Sequence, residues 1–88
     1  MELREHRIKR LRMRSMRRGI KEMDLILSAF ADARLDEMDD AALEQYDALL
    51  AENDQDLYQW VSNQANPPTE FSDLLAEIQK QFQSSSGG

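Results

Sequence analysis

Between Ile20 and Ala33 the apolar residues Ile20, Met23, Leu27, Phe30 and Ala31 recur at spacings of three and four, which sets them on one broad face of a helix. The same spacing returns in Leu43, Tyr46, Leu49 and Leu50, and again in Phe71, Leu74, Leu75, Ile78 and Phe82. A shorter set, Leu57, Trp60 and Val61, marks a further helix between them. From about Leu3 to Arg18 the residues are good helix formers, with Ile8 and Leu11 on one stripe and Met13 and Met16 beside it. Its weak amphipathicity predicts a first helix that is only half docked. No stretch alternates with period two and no hairpin turn occurs, so the chain is expected to be all-α, a compact antiparallel five-helix bundle.

The boundaries carry their own chemistry. Asp39 is placed to cap the third helix, with Asp40 in its first turn and Met38 and Leu43 in the positions of a hydrophobic staple. The fourth helix is expected to start after Asn53 or Asp54, with Asp56 near its positive end, and to stop before Asn66-Pro67-Pro68. The paired prolines then open the last helix. Residues 1–83 form one domain on this reading, and Ser84 to Gly88 a flexible polar tail. The Met, Leu and Phe stripes, and Trp60 with them, are read as packing.

With 88 residues the chain buries about 60 to 65% of the surface its unfolded form exposes, which leaves no room for a deep enclosed active site. There is no cysteine, and the single histidine, His6, lies in a polar stretch. Thiolate metal sites, disulfides and cysteine nucleophiles are excluded, and a catalytic histidine pair is not available. No apolar run approaches the roughly 20 residues of a membrane span, so a cytoplasmic protein without membrane insertion is expected. Charge is sharply divided. Residues 1–22 hold nine Lys/Arg against three Asp/Glu, a net of +6, and residues 23–88 hold two against fourteen, a net of −12, which together give −6. Such a basic arm binds a polyanion or meets an acidic surface, either the protein's own body or a partner's. Its Arg-rich start resembles a mitochondrial transit peptide, but Glu2 and Glu5 interrupt it and serine is scarce.

Arg17-Arg18-Gly19-Ile20-Lys21-Glu22 contains the only glycine before Gly87. Inside one continuous helix Gly19 would cost about 1 kcal/mol relative to alanine. An Arg18–Glu22 pair, in its weaker orientation, returns at most about 0.2 to 0.5 kcal/mol. A break is therefore expected, with Gly19 in the left-handed position that ends the first helix. Arg17 and Arg18 then lie at that helix's negative end, and Glu22 at the positive start of the second. A break needs a glycine whether or not anything binds there. The excess of charge, with Arg14, Arg17, Arg18, Lys21, Glu22 and Asp24 around an uncovered backbone, suits docking of another surface.

RGIKE also resembles the RGxxE signature of the small flavinylation assembly factors for succinate dehydrogenase, with Asp24 as the acidic residue two places on. Phe30 and Leu35 follow at the family's distance, and Leu49 to Trp60, LLAENDQDLYQW, resembles its second block. Two departures stand out. Many members carry a tryptophan where this chain has Arg14-Ser15-Met16, and a glycine after the second block is replaced by Asn63 to Asn66.

The resemblance implies a helper, not an enzyme, that binds the flavoprotein subunit of succinate dehydrogenase, and of the related fumarate reductase, and promotes covalent attachment of FAD to a histidine of that subunit. It implies a chaperone-like monomer that holds no cofactor stably of its own and acts on FAD carried by the partner. By matching positions, Arg18, Gly19 and Glu22 would form the partner-binding site, supported by Arg17, Lys21 and Asp24. Two other classes compete. One is a nucleic-acid-binding module using the basic helix from Arg4 to Lys21, against which stand the acidic body and the lack of interleaved aromatics. The other is a generic protein–protein adaptor.

Overall fold

Two side-chain caps start helices where the sequence places them. The Asp39 carboxylate accepts the Ala42 amide at 2.8 Å, and the Asn53 side chain accepts that of Gln55 at 2.8 Å. In the computed structural model, which describes residues 2–86, they open α3 (Asp40–Leu50) and α4 (Asp54–Val61). Ahead of these lie α1 (Arg4–Arg14) and α2 (Lys21–Arg34), the latter running into a 3-10 turn at Leu35–Glu37. A second 3-10 turn, Thr69–Phe71, follows the prolines and leads into α5 (Ser72–Ser86). The fold is an all-α five-helix bundle with no strand among the described residues. Helix α5 continues past Ser84, where a tail was expected to begin; Gly87 and Gly88 lie outside the described residues.

The end of α4 is closed by an asparagine. Asn63 takes the left-handed conformation with φ 63°. The Gln64 amide reaches back to the Gln59 carbonyl at 2.8 Å and the Asn63 amide to that of Trp60 at 3.3 Å. This is a Schellman closure, in which asparagine fills the place that glycine usually takes. Gln79 of α5 donates to the carbonyls of Trp60 and Val61, so the last helix caps the fourth.

The core gathers the expected stripes. Met23, Leu27 and Phe30 of α2 meet Leu43 and Tyr46 of α3 and Leu75 of α5, all essentially without exposed surface. The Phe30 and Tyr46 rings pack with centroids 5.5 Å apart. Trp60 is half-buried beside Phe71. The radius of gyration, 12.2 Å, is close to the about 12 Å expected of a folded chain this long. Phe82 departs from its stripe: it is 42% exposed, at the far end of α5 where the helix overhangs a cleft. Met13 and Met16 are also exposed, because the buried line of α1 runs through Ile8 and Leu11 to Ser15.

Helix α1 docks through Ile8 and Leu11 and is ringed by charge. Arg10 and Arg14 converge on Asp47 of α3, Arg12 reaches Asp36 at 3.1 Å, and Arg4 pairs with Asp40 while donating to the carbonyls of Asp36 and Met38. Arg7 and Arg10 hold Glu2. The acidic surface that the basic arm meets is thus the protein's own body. Single exposed pairs contribute about 0.2 to 1 kcal/mol, so they orient a helix whose seat is the buried Ile8 and Leu11.

Candidate partner-binding site

Helix α1 ends at Arg14, four residues sooner than its composition suggests, because Ser15 is drawn inward. Ser15 is fully buried, and its hydroxyl donates to the Leu11 carbonyl at 2.8 Å. Having one proton, it is left to accept from the Tyr46 phenol 2.6 Å away. The chain then turns through residues 16–20 with a geometry that corrects the sequence reading. The left-handed residue is Arg17, φ 56°, and no glycine has a positive φ. Such a conformation costs a side-chain-bearing residue about 1 to 2 kcal/mol, offset here by Asp24, whose carboxylate accepts the Arg17 amide at 2.9 Å.

Gly19 answers a different need. Its amide donates to Oδ2 of Asp54 at 2.7 Å, and a Cβ at this position would stand 3.1 Å from that same oxygen. The glycine is there for close approach of a carboxylate.

Arg18 completes the bracket. Nε and Nη2 donate to Oδ1 of Asp54 at 2.8 and 2.7 Å, Nη1 to the Arg14 carbonyl at 2.9 Å, and Nη2 also to the Leu50 carbonyl at 3.1 Å. Arg14 and Leu50 are the last residues of α1 and α3, so one guanidinium sits on two negative helix ends while its carboxylate partner opens α4. The side chains are only 12% and 18% exposed. Expected as a contact for the partner, Arg18 instead spends its donors inside the molecule.

The named residues therefore divide. Arg18, Gly19 and Asp24 build the inner frame, and Arg17, Lys21 and Glu22 face solvent, with Gly19 exposed between them. Glu22 lies in the first turn of α2, as expected, and it and Lys21 have no hydrogen bond or ion pair among the described residues. The Arg18–Glu22 pair does not form. The corner is bolted from within and open without, presenting cations and a carboxylate on a turn held by internal hydrogen bonds. Sequence reasoning read Asp54 as a helix start only; the signal was the aspartate-rich block from Leu49 to Trp60, whose distance from Gly19 gave no local clue.

Two ionisation states reflect this packing. Hydrogen bonding from Arg10, more than from Arg14, holds the Asp47 carboxyl below the usual carboxylate range. Burial pushes the Tyr46 phenol up to about 12. Among the described residues no group of three or more His, Asp or Glu could hold a metal ion, and no helix is long and apolar enough to cross a membrane. With Arg4, Arg7, Arg10, Arg12, Arg14 and Arg18 all paired to carboxylates, little of the basic arm is left to neutralise phosphates.

Comparison with known proteins bears out the family resemblance. The sequence model of a family described as flavinator of succinate dehydrogenase matches residues 9–82. The chain is 48% identical over 68 residues to the mitochondrial succinate dehydrogenase assembly factor 2 of Aspergillus flavus, covering 77% of this chain and 22% of that one. It is 40% identical over 82 residues to the protein of the same name from Penicillium rubens, covering 89% and 26%, respectively. The counterpart from Schizosaccharomyces pombe is 37% identical over 81 residues, covering 90% and 58%. The chain thus spans less than two thirds of the length of these relatives.

Proposed function

Because this chain belongs to the family of flavinators of succinate dehydrogenase, we propose that it is an assembly factor that binds the flavoprotein subunit of that enzyme and promotes covalent attachment of FAD to a histidine of the subunit. The observation that carries this reading is the family match across residues 9–82, which spans a corner fixed by Arg18 and Asp54 and turned outward at Glu22. A flavin bonds to a histidine through its own reactivity once the two are aligned, so the helper's part is to hold a surface in register. A preorganised turn serves that, since little ordering remains to be done on binding.

On this proposal Glu22, Lys21 and Arg17 touch the flavoprotein, Gly19 lets its surface come close, and Arg18 and Asp24 hold the turn. The chain acts as a monomer with no catalytic residue and no cofactor of its own, and FAD is cargo on the partner. Fumarate reductase is a second client in organisms that have it. We place the chain in the cytoplasm; the relatives are named as mitochondrial, and blotting of cell fractions beside the flavoprotein checks the compartment. The functional test is co-expression of the flavoprotein subunit with and without this chain. The proposal expects flavin fluorescence on the denatured subunit to rise strongly when the chain is present; equal fluorescence contradicts it.

A further inference from the structure

Below Glu22, α2 borders a cleft that the corner does not account for. Its floor is Ile26 and Val61, both buried, with Tyr58 half-buried beside them, and its mouth is Leu25 and Phe82, 63% and 42% exposed. Leu25 and Ile26 follow Glu22 by three and four residues, so carboxylate and cleft share one face of α2. Glu22 is the one carboxylate lining the cleft, and no cation of the described residues lines it or pairs with Glu22. Leu25 and Phe82 would each be covered in a core; here two large apolar side chains from α2 and α5 flank one opening. An apolar centre with a charged residue at its edge is the composition of a binding hot spot.

From this, and resting on the flavinylation reading above, we infer that the cleft is a second part of the docking surface. It receives a segment of the flavoprotein subunit in which a bulky apolar side chain enters between Leu25 and Phe82 and an adjacent Lys or Arg pairs with Glu22. The occupant follows from continuity: Glu22 belongs both to the outward corner and to the rim of the cleft, so a surface seated on one lies over the other. Its charge follows from complementarity, because a bare carboxylate beside apolar surface selects a cation and rejects an acidic segment. Glu22 then acts in discrimination of the partner as well as in register.

The test uses the full chain and the purified flavoprotein subunit, with affinity read by titration calorimetry. Leu25→Glu and Phe82→Ser alter exposed positions, and Leu25→Gln is a milder companion that keeps the test open if Leu25→Glu does not fold. Each is expected to weaken binding about tenfold or more, the scale of an interface anchor, while Met13→Glu on α1 stays within about twofold of wild type. Binding of all cleft variants within about twofold of wild type overturns the inference while leaving the functional reading intact. Loss of a self-association in sedimentation by Leu25→Glu, with flavoprotein affinity unchanged, identifies a second copy as the occupant and also overturns it. A wild-type chain that does not bind the flavoprotein at all removes the functional reading and this inference together.

Discussion

Asp54 stands so close to Gly19 that a side chain there would crowd it: one carboxylate oxygen accepts the Gly19 amide at 2.7 Å and lies 3.1 Å from where a Cβ would be. The other oxygen holds Arg18, so the carboxylate retreats by the few tenths of an ångström a Cβ needs only by stretching an ion pair on two helix ends. Gly19→Ala is expected to cost about 1 kcal/mol. Asp54→Ala leaves a largely covered guanidinium unpaired and is expected to cost about 2 to 4 kcal/mol. Urea denaturation of the two variants checks both values, and a smaller loss for Asp54→Ala than for Gly19→Ala would contradict the bracket.

Arg17 makes the opposite prediction for a neighbour two residues away. Its left-handed backbone is strained for any residue with a Cβ, and its guanidinium has no partner among the described residues. Arg17→Gly is expected to raise stability by about 0.5 to 1 kcal/mol, the strain relieved less the extra entropy glycine loses on folding. A thermal melt shifted downward would place the left-handed turn elsewhere.

Acid should loosen α1 through Asp47. A carboxylate whose pKa is lowered by folding stabilises the native state above its ordinary value and loses that contribution as pH falls through the lowered one. Asp47→Asn is therefore expected to cost about 1 kcal/mol at pH 7, where the charge pairs with Arg10 and Arg14, and progressively less below about pH 4. Equal destabilisation at pH 7 and pH 2.5 would show that the charge contributes nothing.

Alkali acts through Tyr46 with the other sign. Burial raises its phenol to about 12, so the neutral form stabilises the fold fully below about pH 10 and the contribution fades as pH climbs through 12. Tyr46→Phe removes the hydroxyl that donates to Ser15 and is expected to cost about 1 kcal/mol at pH 7. It should also flatten the decline in stability between about pH 10 and 12 relative to wild type, which urea titrations at the two values measure.

What the chain's order of residues revealed depends on how far apart the partners lie. Asp39 and Asn53 cap amides two or three residues on, and the stripes of α2, α3 and α5 need only a local period, so both were legible. The division of labour at the corner was not. Gly19 was expected to supply a left-handed turn, but what it supplies is room for an oxygen that comes from 35 residues away. Arg18 was placed at the negative end of the first helix, where it does hold the Arg14 carbonyl, but its further hold on the Leu50 carbonyl and the Asp54 carboxylate exists only when three helices are assembled. Phe82 obeyed the spacing of a core residue, yet it stands at a cleft with α2 and α4 that is left open, and it stays 42% exposed.

Glu22 decides the central claim, since it is exposed, unpaired among the described residues and outside the bracket that holds the fold. Removing its carboxylate should cost only the about 0.3 to 1 kcal/mol of a first-turn charge. The measurement is flavin fluorescence of the flavoprotein subunit in a denaturing gel after co-expression with wild-type chain or Glu22→Ala. The account predicts a nearly unchanged melting curve for the variant with most of the retained flavin lost; retention equal to wild type would contradict it.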